Sequence, residues 1–422
     1  MKPFSINQTR KKFFLDSIEK SDVIQVWGLG SFGGNINCIK YLCGKGKRIK
    51  LFEQKKKEAL KESWEELEEY HYLIDDYWEQ ERIEFNKESL LFITPAISPH
   101  HENLVDFPED KLCIELELAL CLIDKKEIVI HTVLGSVGKS TCASLMTHII
   151  GSKVYGNIGR SFIEDIDSLK EECVLEISSF QLHYIKPIEF IPSSFLCTPI
   201  DDHHANWHGG VEAYQQTKLK AVKRWEKAGC LFVNMNHEEF RESYQGSISM
   251  IGEHNRLNAT AVKLLLMQNG VDEFKINEGI QNFKGLEHRL ECVVNKPFVV
   301  INDSKATSLS ACIEALKCFR KPVTLILHNF KEQNILREFL DLIQTYQHKV
   351  ILIAKDVKID ATINKSFYKN LESFFRQEVW NEYSEDSVLL FSPSAPSYGQ
   401  YKHYAERGDH FKKLVTEYIV EK

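Results

Sequence analysis

The chain has 422 residues, enough for about three domains, and its 43% hydrophobic and 27% charged content is that of a globular protein. A formal net charge of −7 argues against a general nucleic-acid binder. Eleven cysteines lie singly with no CxxC pair, which excludes an evident zinc site or disulfide framework and fits a reducing cytoplasm; no apolar run reads as a membrane span or signal peptide.

Val23–Trp27 predicts a strand. It runs into Gly28-Leu-Gly30-Ser-Phe-Gly33, and Ile36–Leu42 follows with helical spacing. A second strand is expected over Ile49–Phe52. It ends at Glu53, where a dinucleotide fold places its ribose-binding acid. The pattern reads as nucleotide or sugar-nucleotide binding, or as a doubly wound domain whose glycines only let helix and strand approach. Residues 54–88 interleave both charge signs with Trp64, Leu67, Tyr70 and Trp78, the pattern of a solvated helical face with one apolar stripe. Leu90–Ile93 is strand-like and stops at Thr94-Pro95-Ala96, either the rim of a ligand crevice or a plain turn.

Ile128–Ile130 predicts a buried strand. Gly135 and Gly138 turn it into Lys139, Ser140 and Thr141, and Leu145, Ile149 and Ile150 continue at helical spacing. Strand, glycine loop, lysine, hydroxyl and helix make a phosphate cradle: backbone N–H groups and the helix start attract anions, and a hydroxyl can hold Mg²⁺. The long form of this motif has a glycine where the chain has Val133, so Gly135-Ser136-Val-Gly138-Lys-Ser-Thr is a shortened version. Val174–Leu175 delivers Glu176 to a strand end, where it either holds Mg²⁺ or serves as a buried structural carboxylate. Asp201, Asp202, His203 and His204 cluster after another apolar run and suggest a metal or phosphate contact. Tyr214–Val222 predicts a helix; lysines on helices ordinarily face solvent, and local pattern does not single out Lys218. Asn255 and Asn258 precede the helical spacing of Ala261–Met267, either to read a purine or to cap the helix.

Phe298–Ile301 ends in the polar Asn302–Thr307. Strands over Val323–Leu327, Val350–Ile353 and Val388–Phe391, with a helix over Ile335–Leu342, predict a further doubly wound unit. The last strand opens into a hydroxyl-rich loop at 392–398. Arg407-Gly408-Asp409 then leads to a terminal helix with Phe411, Leu414 and Ile419 inside.

In order, the chain carries GLGSFG, TPAISP, GSVGKST, GNIG, LEISSFQL, DDHHANWH, YQQTKLKAV, GEHNRLNA, FKGLEHRLE, NDSKATS and SPSAPSYGQYKHYAERG. Together these resemble the Mur ligases, ATP-dependent amide ligases of peptidoglycan synthesis. NDSKAT and the final SPSxxS…Y…RG look like the branch that adds D-glutamate. The resemblance implies an α/β protein of three domains. A Rossmann-like domain at 1–112 would bind the UDP substrate, a central P-loop ATPase-type domain at 113–285 ATP, and a Rossmann-like domain at 286–422 the amino acid. It implies UDP-N-acetylmuramoyl-L-alanine (UDP-MurNAc-L-Ala), D-glutamate and ATP as substrates, with two Mg²⁺ ions, in a cytoplasmic monomer.

Carried over by position, Gly135, Ser136, Gly138, Lys139, Ser140 and Thr141 would hold ATP phosphates, with Asn255, Asn258, Arg289 and Asp303 as further ATP contacts. Ser140, Glu176, His203 and an N-carboxylated Lys218 would hold the metals, and Lys139, Glu176, His203 and Lys218 form the catalytic set. Gly30, Ser31, Phe32, Glu53, Thr94, Asn157, Ser178 and Gln181 would face the UDP substrate. Lys305, Thr307, Lys331, Ser397 and Tyr404 would face D-glutamate. The chain departs from the family pattern at Val137 for asparagine, Ala205 for the second aspartate of DHLD, Ala96 for glycine, and His328-Asn-Phe-Lys331 for a glycine-rich loop with lysine. Two alternatives stand beside this reading. One is an amide ligase of the folylpolyglutamate type, disfavoured by the GxGxxG segment. The other is a non-catalytic sugar-nucleotide-binding relative.

Overall fold

A computed structural model of the chain describes residues 2–30, 34–124, 126–201, 205–237, 240, 242–329, 337–353, 364–397 and 399–421. Its contacts divide the chain into two compact units. The first is Met1–Glu242 with Asn258–Gly279, and the second is Ser243–Leu257 with Ile280–Lys422. No helix among the described residues is long and apolar enough to cross a membrane.

The first unit holds two parallel five-stranded sheets. One contains β1 (Val23–Trp27), β2 (Arg48–Phe52), β3 (Ile74–Tyr77), β4 (Leu91–Ile93) and β5 (Leu112–Cys113), in the order β3-β2-β1-β4-β5. Parallel strands are covered on both faces, which is why β4 reads as an unbroken apolar run and β1 as an apolar run broken only by Gln25, whose buried amide bonds the Asn86 backbone. Strand order reverses at β1, and such a reversal opens a crevice beyond the carboxyl ends of β1 and β4. Gly28 and Thr94 stand at those two ends.

Segment 54–88 is not one helical face. It is a series of short helical turns, Lys57–Leu60, Lys61–Glu65 and Glu68–Leu73, followed by the edge strand β3. In β3 only Ile74 is buried. Asp75 and Asp76 reach cations outside it, Arg48 at 3.2 Å and Lys57 at 2.8 Å. A half-exposed edge strand bearing charge looks like a solvated helix in sequence.

The second sheet contains β6 (Val129–Leu134), β7 (Val154–Gly156), β8 (Glu172–Glu176), β9 (Ser194–Cys197) and β10 (Leu231–Asn234), in the order β10-β9-β6-β8-β7. Central β6 feeds the helix Lys139–Ile150. One apolar core, from Phe4 to Trp225, runs through both sheets. Helix Gln8–Lys20 joins them with a buried Arg10–Glu117 ion pair at 2.8 Å.

The second unit carries a six-stranded sheet of β11 (Glu291–Val294), β12 (Val299–Asn302), β13 (Thr324–His328), β14 (Lys349–Ile353), β15 (Lys365–Tyr368) and β16 (Val388–Phe391). Its order is β11-β12-β16-β13-β14-β15, and only the β11–β12 pairing is antiparallel. The helix expected over Ile335–Leu342 is described as Arg337–Thr345. Polar segments 302–307 and 392–397 both leave the carboxyl ends of neighbouring strands, β12 and β16.

Candidate active site

The phosphate loop turns on two glycines at positive φ, where any side chain would be strained. Gly135 lies at φ 128°, and a Cβ there would sit 2.5 Å from the Thr198 carbonyl oxygen. Gly138 lies at φ 86°, and a Cβ there would meet the Asn258 amide at 2.7 Å. Asn258 is therefore packed on the loop itself. Lys139 Nζ donates to the Ser136 carbonyl at 2.8 Å, so the ammonium is folded over its own loop. The backbone N–H groups of Ser136 and Val137 donate to Pro199 O at 2.8 and 3.4 Å, which ties the loop to the end of β9.

Glu176 ends β8, one strand from β6, in register with Val133. Its side chain is 0% exposed. Oε1 accepts from Asn157 Nδ2 at 2.7 Å, whereas Oε2 has no hydrogen-bond partner among the described residues. A buried carboxylate oxygen without a donor is costly, and it is the ligand a hard cation needs.

Lys218 overturns the surface reading of its helix. Helix Val211–Lys227 buries Tyr214, Lys218, Ala221, Val222 and Trp225, and Lys218 is 2% exposed. Those five share one face at helical spacing. The stripe was the signal available in the sequence, since Lys218 lies four residues from each of Tyr214 and Val222. The ammonium donates to the Tyr214 hydroxyl and to Ser136 Oγ at 3.3 Å. Burial, with the Lys139 charge adding to it, brings Lys218 down to about 7. The phosphate loop and this lysine thus converge.

His203, with Asp202 and His204, lies outside the described residues, as do Ser31, Phe32 and Lys331. Among the described residues no three His, Cys, Asp or Glu side chains converge as a metal cage. Just after this segment, Trp207 Nε1 donates to Ala96 O at 3.0 Å, and Ser98 Oγ donates to Trp207 O at 2.8 Å. These bonds join it to the loop after β4.

A cavity of about 760 Å³ opens where the two sheets of the first unit meet. Gly30, Glu53, Thr94, Asn157, Ser178 and Gln181 all line it. Asn157 thus touches both this space and Glu176. Ser178 and Gln181 form a capping box at the start of helix Ser179–Tyr184. Glu53 is fully engaged by backbone. It accepts from the N–H groups of Leu29 at 2.8 Å, Gln54 at 2.9 Å and Lys55 at 3.0 Å. It holds the glycine turn in place.

In the second unit, the 302–307 and 392–397 segments are joined by Arg407, which sequence reading passed over. Its side chain is 0% exposed and donates to Ser304 O at 2.7 Å, Ser304 Oγ at 3.1 Å and Ala395 O at 2.9 Å. Lys305 Nζ lies 3.8 Å from the Tyr404 ring centre, and Ser397 is buried. Thr307 is half-buried and Arg289 is exposed. Asp303 accepts from Ser392 Oγ at 2.8 Å and from Leu290 N, and burial pushes it up to about 7. Asn255 donates through its side chain to Ile251 O at 2.8 Å, a local bond at the start of its helix.

Residues 133–249 match the family model of the Mur ligase middle domain. The chain is 30% identical over 434 residues to the UDP-N-acetylmuramoylalanine–D-glutamate ligase of Thermotoga sp. (strain RQ2), covering 92% of this chain and 98% of that protein. It is 31% identical over 381 residues to the ligase of the same description from Petrotoga mobilis, covering 78% and 86%. Among solved structures, the MurF ligase of Thermotoga maritima in complex with ADP shares the fold with a TM-score of 0.54 at 16% identity, covering 95% of this chain and 99% of that one.

Proposed function

The chain belongs to the Mur ligase family, and on that premise we propose that it couples ATP cleavage to the addition of D-glutamate to UDP-MurNAc-L-Ala. The observation that carries the chemistry is the buried Lys218 beside Ser136 of the phosphate loop. In this reading residues 1–112 hold the UDP substrate, 113–285 hold ATP and 286–422 hold the amino acid.

The substrate carboxylate attacks the γ-phosphorus of ATP. The acyl phosphate forms and ADP leaves. The amine of D-glutamate then attacks the acyl carbon, phosphate departs, and the amide bond results. The first step brings two anions together, so charge control decides its rate. Lys139 supplies a mobile positive charge at the phosphates, with Ser136, Ser140 and Thr141 on the same loop. Mg²⁺, when bound, offsets phosphate charge as a Lewis acid. Glu176, Ser140 and His203 would hold it, and the partnerless Glu176 Oε2 fits that role. Lys218 would join them as a carbamate. Its amine is brought down to about 7, so about half is neutral near that pH. The neutral amine adds to CO₂, releases one proton and becomes a carboxylate.

Asn255, Asn258, Arg289 and Asp303 would be further contacts to ATP. The UDP substrate would occupy the 760 Å³ cavity, against Gly30, Ser31, Phe32, Thr94, Asn157, Ser178 and Gln181, with Glu53 shaping the turn. Lys305, Thr307, Lys331, Ser397 and Tyr404 would hold D-glutamate. The protein is proposed to act as a cytoplasmic monomer. Phosphate release by the purified chain tests the reading: it should require both UDP-MurNAc-L-Ala and D-glutamate, and Lys139→Ala should abolish it. Unchanged turnover in Lys139→Ala would reject the role given to that lysine.

A further inference from the structure

Among the described residues, the cavity lined by Gly28, Gly30 and Gly34 has three carboxyls on its walls, Glu53, Glu115 and Glu164, against two cations, Lys55 and Arg160. That balance repels a diphosphate unless the carboxyls are compensated. Glu53 is compensated by its three backbone N–H donors. Glu164 accepts from Asn37 Nδ2 at 2.8 Å, Arg160 Nε at 2.8 Å and Ser161 N at 3.2 Å. Arg160 is in turn engaged by Glu164 and by Asp165 at 3.4 Å.

Glu115 differs from both. It is the first residue of helix Glu115–Ile123 and lines the cavity. Oε1 accepts from Ser161 Oγ, and no described residue bonds Oε2. Among the described residues, the charged or titratable groups that act on it are Glu164 on the 160–164 turn and Cys38 on helix Ile36–Gly44. The Cys38 thiol is held far above its usual range by burial, so it stays neutral. Arg160 is committed to Glu164 and Asp165, and among the described residues no cation is paired with Glu115.

We propose that Glu115 is a substrate-binding residue of this cavity, present as a neutral carboxylic acid that donates a hydrogen bond to a diphosphate oxygen of the UDP-linked substrate. The proposal rests on the reading of the cavity as the UDP-substrate site. A carboxylic acid is a donor to an anion, whereas a carboxylate is acceptor-only and would repel it. Burial pushes Glu115 up to about 8, with Glu164 adding to the rise and Ser161 opposing it, so the acid form prevails at neutral pH.

Titration calorimetry of the full chain with UDP-MurNAc-L-Ala, from about pH 6.5 to about pH 8.5, tests this below the range where uracil N3–H titrates. If only the acid form binds, affinity for wild type weakens about fourfold across that range. Glu115→Gln, which keeps a neutral donor, should bind like wild type at the lower pH and show no such decline. Binding by wild type that does not change with pH, or a Gln variant with the wild-type slope, would overturn the role of Glu115 while leaving the cavity assignment intact. Absence of binding to wild type at every pH, with ATP still bound, would overturn the cavity assignment and this proposal with it.

Discussion

A lysine whose ammonium meets two hydroxyls instead of a carboxylate loses much of its reason to stay charged, and Lys218 is in that position. Its folded value, about 7, lies below the ordinary 10.5. The unfolded chain therefore binds more protons between those values, and this residue's contribution to stability rises as pH climbs from about 7 to about 10.5. The same neutral amine is what CO₂ requires. A carbamate resonance should appear in ¹³C spectra of the wild-type protein in labelled bicarbonate and be missing from Lys218→Arg; identical spectra would remove Lys218 from the metal set. Arg407 makes the opposite use of burial. Its five-donor fork bridges Ser304 and Ala395. Arg407→Met should leave those carbonyls unpaired, cost about 2–4 kcal/mol, and raise KM for D-glutamate more than it changes KM for ATP. Denaturant melts and steady-state kinetics would read both effects.

At the level of elements, the chain was most legible where burial is complete. β1 and β16 have the bounds their apolar runs announce, because parallel strands covered on both faces carry no competing pattern. The loop after β6 was legible for another reason: its glycines answer a steric demand. Gly135→Ala would drive a Cβ into the Thr198 backbone carbonyl, which cannot rotate away. The expected cost is about 2–4 kcal/mol, with loss of ATP-analogue binding; a variant that still binds the analogue as tightly as wild type would contradict this account of the loop. Edge elements were hidden. β3 carries Asp75 and Asp76 on a half-exposed strand, and β15 has no buried residue, so hydrophobic period says little about either. The family resemblance singled out Lys218; in the local pattern only its place in the stripe of Tyr214, Val222 and Trp225 marks it as buried. Glu115 sits at the head of the apolar helix ELELALCLI, and nothing local marks it as facing a cavity made by distant segments. The grouping of Asn157 with Glu53 and Thr94 around that cavity is likewise a product of tertiary structure.

At the scale of the whole molecule, pH acts on the second unit through a buried carboxyl. Asp303 lies in the second unit, and its folded value of about 7 is above the ordinary 3.8. The folded form holds the extra proton, so stability from this group falls as pH rises from about 3.8 to about 7 and is flat beyond. The buried His328 and His348 of the same unit, lowered to about 4, act in the opposite sense, so the Asp303 effect is read against a variant: hydrogen exchange, corrected for intrinsic rates, should show protection of residues 280–422 in wild type falling relative to Asp303→Asn between about pH 5 and about pH 7, and a constant difference would contradict it. The central claim is that this 422-residue chain joins a UDP-linked acid to D-glutamate while ATP is cleaved to ADP and phosphate. Mass spectrometry of the product formed from UDP-MurNAc-L-Ala, ATP and a panel of free amino acids tests that claim most directly. The expected result is an ATP-dependent product carrying one glutamate, formed from the D-isomer; a product carrying another amino acid, or no ATP-dependent product, would contradict it.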